Sequence, residues 1–358
     1  MIPSDNAQLS MRGSLHHAMR KKAVFIDNLL VPSKIWNLLK MFVKYLFRLD
    51  AINVYPLMLK IDDTPLCQLK CPVCIHIDHV KNNFSQQDFK NKKMDFGLFK
   101  KVVDEVAGKT LVLSFGHLGE PILNKDLAKM VRYARDKNVN SFVTTNFSVK
   151  ITDEQMEALI CSGLKIISIP IDGYTQEIYA KTRVNGNLSL VKKNTERLIE
   201  MRNRLGVKDL FIEVQTATFT HNPHEIPLIA EYCKKLGVDY HRVYGGDEGN
   251  WIIDCRPFND PRKPQAIPYC AWPFFASVII YDGRVLPCSA YHVDNTFSVE
   301  EESIHMDNVN NVSFSSVFNS KKYNTLRRLM YNPRADDHNP DVNFCDGCSV
   351  INHQPGDK

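Results

Sequence analysis

The sequence predicts an α/β protein built around a parallel sheet of about six strands. Two observations lead to that class. Between residues 57 and 244 short β-rich runs alternate with amphipathic stretches, and the alternation stops at Gly245 and Gly246. A chain of 358 residues, 44% of them hydrophobic, can bury a large core. Such alternation places strands inside and helices outside, in a sheet that is either open or curled into an incomplete barrel.

Each predicted strand is a short run of apolar and β-branched residues between polar residues. The predicted strands span residues 57–61, 110–115, 141–145, 166–169, 210–215 and 239–243. Apolar residues at helical spacing predict helices between them, over residues 96–106, 125–136, 152–161, 189–205 and 224–236. Further along, residues 277–281 and 284–286 flank Asp282-Gly283, the turn signal of a β-hairpin.

The N-terminal part of the chain contains one predicted helix. Residues 33–49 carry apolar residues at helical spacing, with Ser33 as the expected N-cap. Because an apolar stripe usually packs against its own protein, we expect this stripe to be buried, and a membrane surface is the alternative. The break in the pattern after Gly246 predicts the boundary between two domains. The predicted division of the chain is an N-terminal extension at 1–50, a barrel domain at 51–250 and a second domain at 251–358.

Composition and charge exclude several classes of protein. Forty-five Lys and Arg against 40 Asp and Glu leave a net charge of +5, which gives no reason to expect nucleic acid as a partner. No stretch approaches the roughly 18 to 20 apolar residues of a transmembrane helix, and the N-terminus lacks the pattern of a secretory signal. A cytoplasmic protein is therefore expected.

Ten cysteines need an explanation, because the cytosol disfavours disulfides. Three of them form Cys67-x3-Cys71-x2-Cys74 directly after the first predicted strand, where sites form in parallel sheets. Three thiolates without a fourth ligand leave one iron of a four-iron cluster open, whereas a structural zinc site closes all four positions. Half of a zinc site is the alternative interpretation.

This motif, at the start of a repeat of strands and helices, resembles that of the radical S-adenosylmethionine enzymes. The resemblance implies a partial (βα)6 TIM-like barrel and a 4Fe–4S cluster on Cys67, Cys71 and Cys74, whose open iron binds S-adenosyl-L-methionine. It also implies cleavage of that cofactor to a 5′-deoxyadenosyl radical. A flavodoxin or ferredoxin would supply the electron.

Further positions match the same family in the right order. Gly119-Glu120-Pro121 is similar to its GGEP motif, with Leu118 in place of the first glycine. Taken singly, each of these residues has an alternative interpretation. Glu120 could be a neighbour of a helix N-cap, and Arg183 could belong to a surface ion pair. The resemblance as a whole implies that the cofactor is bound by Gly119, Glu120, Asn146, Ser168 and Arg183.

Four more cysteines lie in the C-terminal region, at Cys270, Cys288, Cys345 and Cys348. A hairpin carrying two thiols and a CxxC turn carrying two more would close a four-thiolate site for zinc or for an iron–sulfur cluster. The C-x12-G-x4-C element resembles the start of the SPASM and Twitch extensions of radical enzymes. Four cysteines match the shorter Twitch form, which implies one auxiliary 4Fe–4S cluster. The arrangement is most similar to that of 2-deoxy-scyllo-inosamine dehydrogenase.

Alternate residues of each barrel strand face inward. Because buried polar groups need partners, we expect the polar inward residues of the last two predicted strands to bind the substrate. These residues are Glu213, Gln215, Arg242 and Tyr244. Arg242 is also the candidate catalytic residue, which would assist removal of a hydroxyl proton. The alternative is an internal salt bridge between Glu213 and Arg242.

The resemblance implies a radical oxidoreductase that abstracts hydrogen from a secondary alcohol carbon of a sugar or aminocyclitol. The auxiliary cluster would accept the second electron. A peptide-modifying maturation enzyme and a sugar epimerase are the alternatives among enzymes. A non-catalytic, metal-stabilised binding protein is the alternative of another class.

Overall fold

The computed structural model describes residues 27–72, 74, 91–245, 268–289 and 306–332. Six parallel strands form its centre, and each begins and ends within three residues of its prediction. They are β1 (Met58–Ile61), β2 (Val112–Phe115), β3 (Asn140–Thr144), β4 (Ile166–Pro170), β5 (Phe211–Thr218) and β6 (Tyr240–Gly245). Strands consecutive in the chain are neighbours in the sheet, which confirms the α/β class and gives the strand order of a partial (βα)6 barrel.

The helices begin and end at residues that favour those positions. They are α1 (Pro32–Phe47), α2 (Phe96–Val106), α3 (Leu127–Asp136), α4 (Asp153–Ile160), α5 (Gln176–Thr182), α6 (Leu188–Arg204), α7 (Ile226–Leu236), α8 (Trp272–Phe275), α9 (Phe314–Phe318) and α10 (Lys321–Leu329). Asp95 caps α2, Thr152 forms a capping box with Gln155 at α4, and Gly237 ends α7 at a positive φ. Among the described helices, none combines the length and the apolar character needed to cross a bilayer.

The two faces of the sheet carry different residues. Side chains such as Leu59 and Phe115 belong to the large core that the sheet shares with the helices. The opposite, inner face is apolar near the amino ends of the strands, where Ile166 and Phe211 lie in a second buried cluster. Polar residues follow on this inner face towards the carboxyl ends. They are Lys60, Ser114, Ser168, Glu213, Gln215 and Arg242.

Helix α1 turns its polar side to the protein, so the expectation of a buried apolar stripe is wrong. Its buried residues are Lys34, Asn37, Met41 and Lys44, and the apolar stripe faces outward. The reason is hydrogen bonding, because the ammonium groups and the amide bond to backbone groups of neighbouring segments. The N-cap is Val31 rather than Ser33, since Pro32 begins the helix, where its missing N–H is not needed.

The predicted hairpin extends the same sheet. Its strands are β7 (Ala276–Ile279) and β8 (Arg284–Leu286), joined by Asp282 and by Gly283 at a φ of +90°. Strand β7 pairs in parallel with β1, and β9 (Asp307–Asn308) pairs with β8 at the edge. The C-terminal region therefore places Cys288, which follows β8, beside the barrel. The domain division at residue 250 stays a prediction.

Candidate active site

The first cysteine loop follows β1 and is held by backbone bonds. Lys70 N donates to Val184 O at 2.9 Å, and Cys74 N donates to Cys71 O at 3.0 Å. Burial raises the pKa of the Cys67 thiol well above its ordinary value, and nearby Glu120, Cys74 and Cys71 raise it further. The three thiols are thus neighbours, although within the described residues no three His, Cys, Asp or Glu side chains converge as the ligands of one ion do.

Gly119 lies directly against this loop. A Cβ at Gly119 would be 1.8 Å from Thr64 O and 2.9 Å from Leu66 O, so only glycine fits there. Asp62, just past β1, anchors the same turn by accepting hydrogen bonds from Leu118 N at 2.9 Å and Gly119 N at 3.3 Å. The close approach explains in physical terms why a glycine stands at this position.

Glu120 is buried at the centre of the site, and its carboxylate is held by three donors. Oε1 accepts from Thr145 Oγ1 at 2.5 Å and Ile122 N at 3.1 Å, and Oε2 accepts from Asn146 N at 2.7 Å. Burial raises the pKa of Glu120 to about 7 against the opposing effect of these hydrogen bonds. A carboxylate has about four acceptor positions, so one on Oε2 is left for a cationic ligand such as an ammonium.

Asn146 joins Glu120 to the cysteine loop. Its side-chain Nδ2 lies 3.7 Å from Cys67 Sγ, and its Oδ1 accepts from Gln68 Nε2 at 2.8 Å and from Ser148 N at 2.9 Å. The sequence-based candidates Glu120 and Asn146 are therefore brought together with Cys67. Gln68, between two of the cysteines, is a neighbour that the sequence reasoning did not single out.

Arg183 forms a buried ion pair with Asp172. The alternative interpretation of Arg183, a surface ion pair, is therefore wrong. The Arg183 Nε donates to Asp172 Oδ2 at 2.8 Å, while Asp172 Oδ1 accepts from Ala217 N at 2.8 Å. Burial lowers the pKa of Arg183, but Asp172 and the nearby Cys71 thiol outweigh burial and raise it above its usual range. Arg183 also hydrogen-bonds Cys71, which lowers the pKa of that thiol against the larger, raising effect of burial.

Several buried polar atoms around these residues have no hydrogen-bond partner among the described residues. They are Asp62 Oδ2, Asp63 Oδ2, Ser168 Oγ and Tyr179 OH. Orphaned polar atoms at such depth are rare in folded proteins and indicate a missing ligand. Together with the Gly119 cradle and the soft sulfur donors of the cysteine loop, they fit an iron–sulfur cluster and a polar, charged cofactor.

The predicted substrate residues lie together on the inner face beyond Ser168. Gln215 stands opposite Arg242 in the β5–β6 ladder, and its Nε2 donates to Glu213 Oε1 at 3.3 Å. The Arg242 guanidinium carbon lies 5.1 Å from the centre of the Tyr244 ring. Burial raises the pKa of Tyr244 to about 12, so its hydroxyl stays protonated. All four form one polar surface inside the barrel.

Lys60 is a candidate site residue that the sequence reasoning missed. It lies on the inner face of β1, half-buried, and its ammonium makes no hydrogen bond or ion pair with the described residues. Burial lowers the pKa of Lys60, while Asp62 and Cys288 oppose that effect. A lysine at the centre of the otherwise apolar strand 58–61 is the signal that could have identified it.

The second cysteine group is described in part. Cys270 and Cys288 are half-buried at the two ends of the hairpin region, and Cys288 is near enough to influence Lys60 and Tyr323. Cys345 and Cys348 lie outside the described residues. Lys60 is two residues before Asp62, which anchors the Gly119 turn, and it is also close to Cys288 of the second cysteine group.

Residues 61–212 match the family model of the Radical SAM superfamily, and residues 270–349 match that of SPASM, an iron–sulfur cluster-binding domain. The tungsten-containing aldehyde ferredoxin oxidoreductase cofactor-modifying protein of Pyrococcus furiosus is 22% identical, over 76% of this chain and 84% of that protein. The PqqA peptide cyclase of Bradyrhizobium diazoefficiens is 25% identical over 59% of this chain, which spans about half (52%) of the cyclase. Probable GTP 3′,8-cyclases of Methanococcus maripaludis are likewise matched over 54% of their length.

Among solved structures, SuiB of Streptococcus suis bound to the precursor peptide SuiA has a TM-score of 0.58 at 14% identity. The match covers 76% of this chain and 67% of that chain, and it supports the fold. The SPASM match confirms the prediction of a SPASM-type extension, whereas the choice of the shorter Twitch form stays a prediction. The chain therefore contains a Radical SAM domain and a SPASM domain, and these domains bind a 4Fe–4S cluster, S-adenosylmethionine and auxiliary iron–sulfur clusters.

Proposed function

We propose that this enzyme is an oxidoreductase that removes hydrogen from a secondary alcohol carbon of a sugar or aminocyclitol. The observation that carries the proposal is the polar inner face of the barrel, where Lys60, Glu213, Gln215 and Arg242 collect. Such a surface offers both hydrogen-bond donors and acceptors, as recognition of a polyhydroxylated molecule requires. An interior of this polarity is costly unless a ligand engages it.

The chain's own residues have distinct roles in this reaction. S-adenosylmethionine and its cluster, when bound, supply the radical that takes a hydrogen atom from the substrate carbon. Glu213 and Gln215 orient the hydroxyl groups beside that carbon. Arg242 stabilises the hydroxyl oxygen as its proton leaves, because a guanidinium is too weak an acid to lose its own proton.

Lys60 receives the hydroxyl proton in this proposal. Its amine has no hydrogen-bond partner among the described residues and stands on the same inner face as the substrate residues. Burial favours the neutral form of the amine, which is the form that accepts a proton. Its position near Cys288 lets proton removal occur beside the second cysteine group, where the auxiliary cluster would accept an electron.

The test uses the anaerobically reconstituted full chain with sugars and aminocyclitols deuterated at each carbinol carbon. We expect deuterium in 5′-deoxyadenosine and a carbonyl product. Lys60→Met should lower the yield of the carbonyl product by about a hundredfold or more while cofactor cleavage continues. Lys193→Met, an exposed lysine on the outer helix α6, serves as the matched control and should leave both unchanged.

Two results would contradict the proposal. Deuterium transfer with inversion of the carbon and no carbonyl product would indicate an epimerase. No reaction with any polyol would refute the substrate class.

A peptide-modifying function is the second candidate. It is supported by the similarity to a PqqA peptide cyclase and to SuiB, which was solved with a precursor peptide. The same deuterium assay with peptides deuterated at their Cα and Cβ positions tests it. Labelled 5′-deoxyadenosine from a peptide, and none from any polyol, would establish this candidate in place of the first.

A further inference from the structure

Helix α1 is attached to the protein by the side that would ordinarily face water. Lys34 Nζ donates to Asn138 O, and Lys44 Nζ donates to Ile52 O at 3.0 Å. Asn37 exchanges two hydrogen bonds of 2.9 Å with the backbone of Tyr55. Burial lowers the pKa of Lys34 and of Lys44 to about 8, because removing an ammonium group from water is costly. The hydrogen bonds to backbone carbonyl groups offset part of this cost. The orientation of the helix is therefore fixed by specific bonds.

The opposite side of α1 is an apolar ridge. Trp36 is 63% exposed and Phe47 is 68% exposed, and no polar residue is exposed between residues 35 and 47. Of the exposed large hydrophobic residues in the described part of the chain, all except Leu228 and Val243 belong to this ridge and its flanks. They are Leu30, Ile35, Trp36, Leu39, Phe42, Val43, Leu46, Phe47 and Leu49. An exposed apolar surface of this kind marks an interaction site.

The charge of the surrounding sequence indicates what the ridge contacts. Residues 1–49 contain eight Lys and Arg against two Asp and Glu, whereas the rest of the chain contains 37 against 38. The positive charge of the protein is thus concentrated in the segment that carries the ridge. Lys34 and Lys44 are buried on the opposite side of α1, but the other six basic residues still outnumber the two acidic ones. Basic residues close in sequence to an apolar helix face complement the negative surface of an anionic bilayer.

We propose that α1 lies in the surface of an anionic lipid bilayer, with its apolar ridge inserted at the boundary between headgroups and acyl chains. A protein partner fits less well, because protein interfaces carry about one hydrogen bond per 100–200 Å² and the ridge offers no polar side chain. At about 24 Å, a helix of 16 residues lies along such a surface. The proposal is independent of the substrate.

The test measures flotation of the full, cluster-reconstituted chain with phosphatidylcholine vesicles, with and without phosphatidylglycerol. We expect binding to the anionic vesicles that weakens with added salt. The triple variant Trp36→Ser/Leu39→Ser/Phe47→Ser should bind at least about a hundredfold more weakly, because three large side chains no longer enter the bilayer. Leu228→Ser, an exposed leucine on α7, is the matched control and should bind like the wild type.

The variant should keep its iron content and circular dichroism, since the three replaced side chains are exposed. Failure of the wild type to float with anionic vesicles would overturn the proposal. Equal flotation of the wild type and the triple variant would also overturn it. A concentration-dependent dimer without vesicle binding, abolished by the same variant, would instead assign the ridge to a second copy of the chain.

Discussion

Gly119 and Thr64 touch through their backbones, at a distance that leaves no room for any side chain on residue 119. A Cβ there would be 1.8 Å from the Thr64 carbonyl oxygen. Thr64 precedes the cysteine loop and Gly119 precedes Glu120, so this one approach sets the position of the Glu120 carboxylate relative to Cys67. The contact joins two parts of the site that are more than fifty residues apart in the chain.

The Gly119→Ala variant should therefore displace the turn and lose activity. Overpacking of this kind costs about 1–3 kcal/mol, so we expect formation of 5′-deoxyadenosine to fall about ten- to a hundredfold. Gly245→Ala is the matched control, because nothing lies within 4 Å of a Cβ at that position. Equal rates for Gly119→Ala and the wild type would show that the turn does not set the geometry of the site.

The two cysteine groups should hold separate clusters. The wild type should contain about eight irons per chain, and Cys67→Ala/Cys71→Ala/Cys74→Ala should contain about four and should not cleave the cofactor. Cys270→Ala/Cys288→Ala should also contain about four irons yet still form 5′-deoxyadenosine. Iron analysis with cleavage assays checks both, with the exposed Cys161→Ala as control. Bound zinc in the second group would contradict the prediction.

The Asp172–Arg183 pair should contribute more to stability than a surface pair. The Asp172 side chain is fully buried, and that of Arg183 is 10% exposed. Replacement by Arg183→Met leaves a buried carboxylate without its partner, which should lower the free energy of unfolding by about 3–5 kcal/mol. In the exposed Lys235–Glu231 pair, Lys235→Met should lower it by less than about 1 kcal/mol. Urea denaturation measures both, and similar losses would refute the prediction.

His241 should make the protein less stable in mild acid. Burial lowers the pKa of His241 to about 4, and its Nε2 lies 2.8 Å from Thr216 Oγ1. Between pH 6.5 and 4 the unfolded chain binds a proton that the folded histidine does not, so stability falls as the pH falls through this range. The slope reaches up to about 1.4 kcal/mol per pH unit.

His241→Gln keeps the contact with Thr216 but does not titrate. The free energy of unfolding of this variant should therefore change less with pH, by the contribution of about one proton. Glu120 and Asp62, whose pKa values burial raises to about 7, act in the opposite direction in both proteins. Their effect therefore cancels in the comparison. Parallel pH profiles for the two proteins, measured by urea denaturation at each pH, would contradict the assignment to His241.

The sequence by itself determined the strands, most of the connecting helices and the first cysteine motif. These features depend on local patterns: alternation of apolar residues, capping residues such as Thr152, and the spacing from Cys67 to Cys74. The hairpin at Asp282-Gly283 was predictable for the same reason, because its turn needs a positive φ that glycine adopts readily. The short helix α5 was missed, since seven residues are too few for a clear period.

The tertiary structure alone decided the contacts between distant segments. It placed Gly119 on Thr64 and joined Arg183 to Asp172 and Cys71. It set Lys60 on the inner face that carries Glu213 and Arg242. It also paired β7 with β1 and turned the polar side of α1 inward. A periodic pattern shows that a helix has an apolar side but not which neighbours it meets. Lys34 of α1 bonds to the carbonyl group of Asn138, 104 residues along the chain, and only folding brings these two residues together.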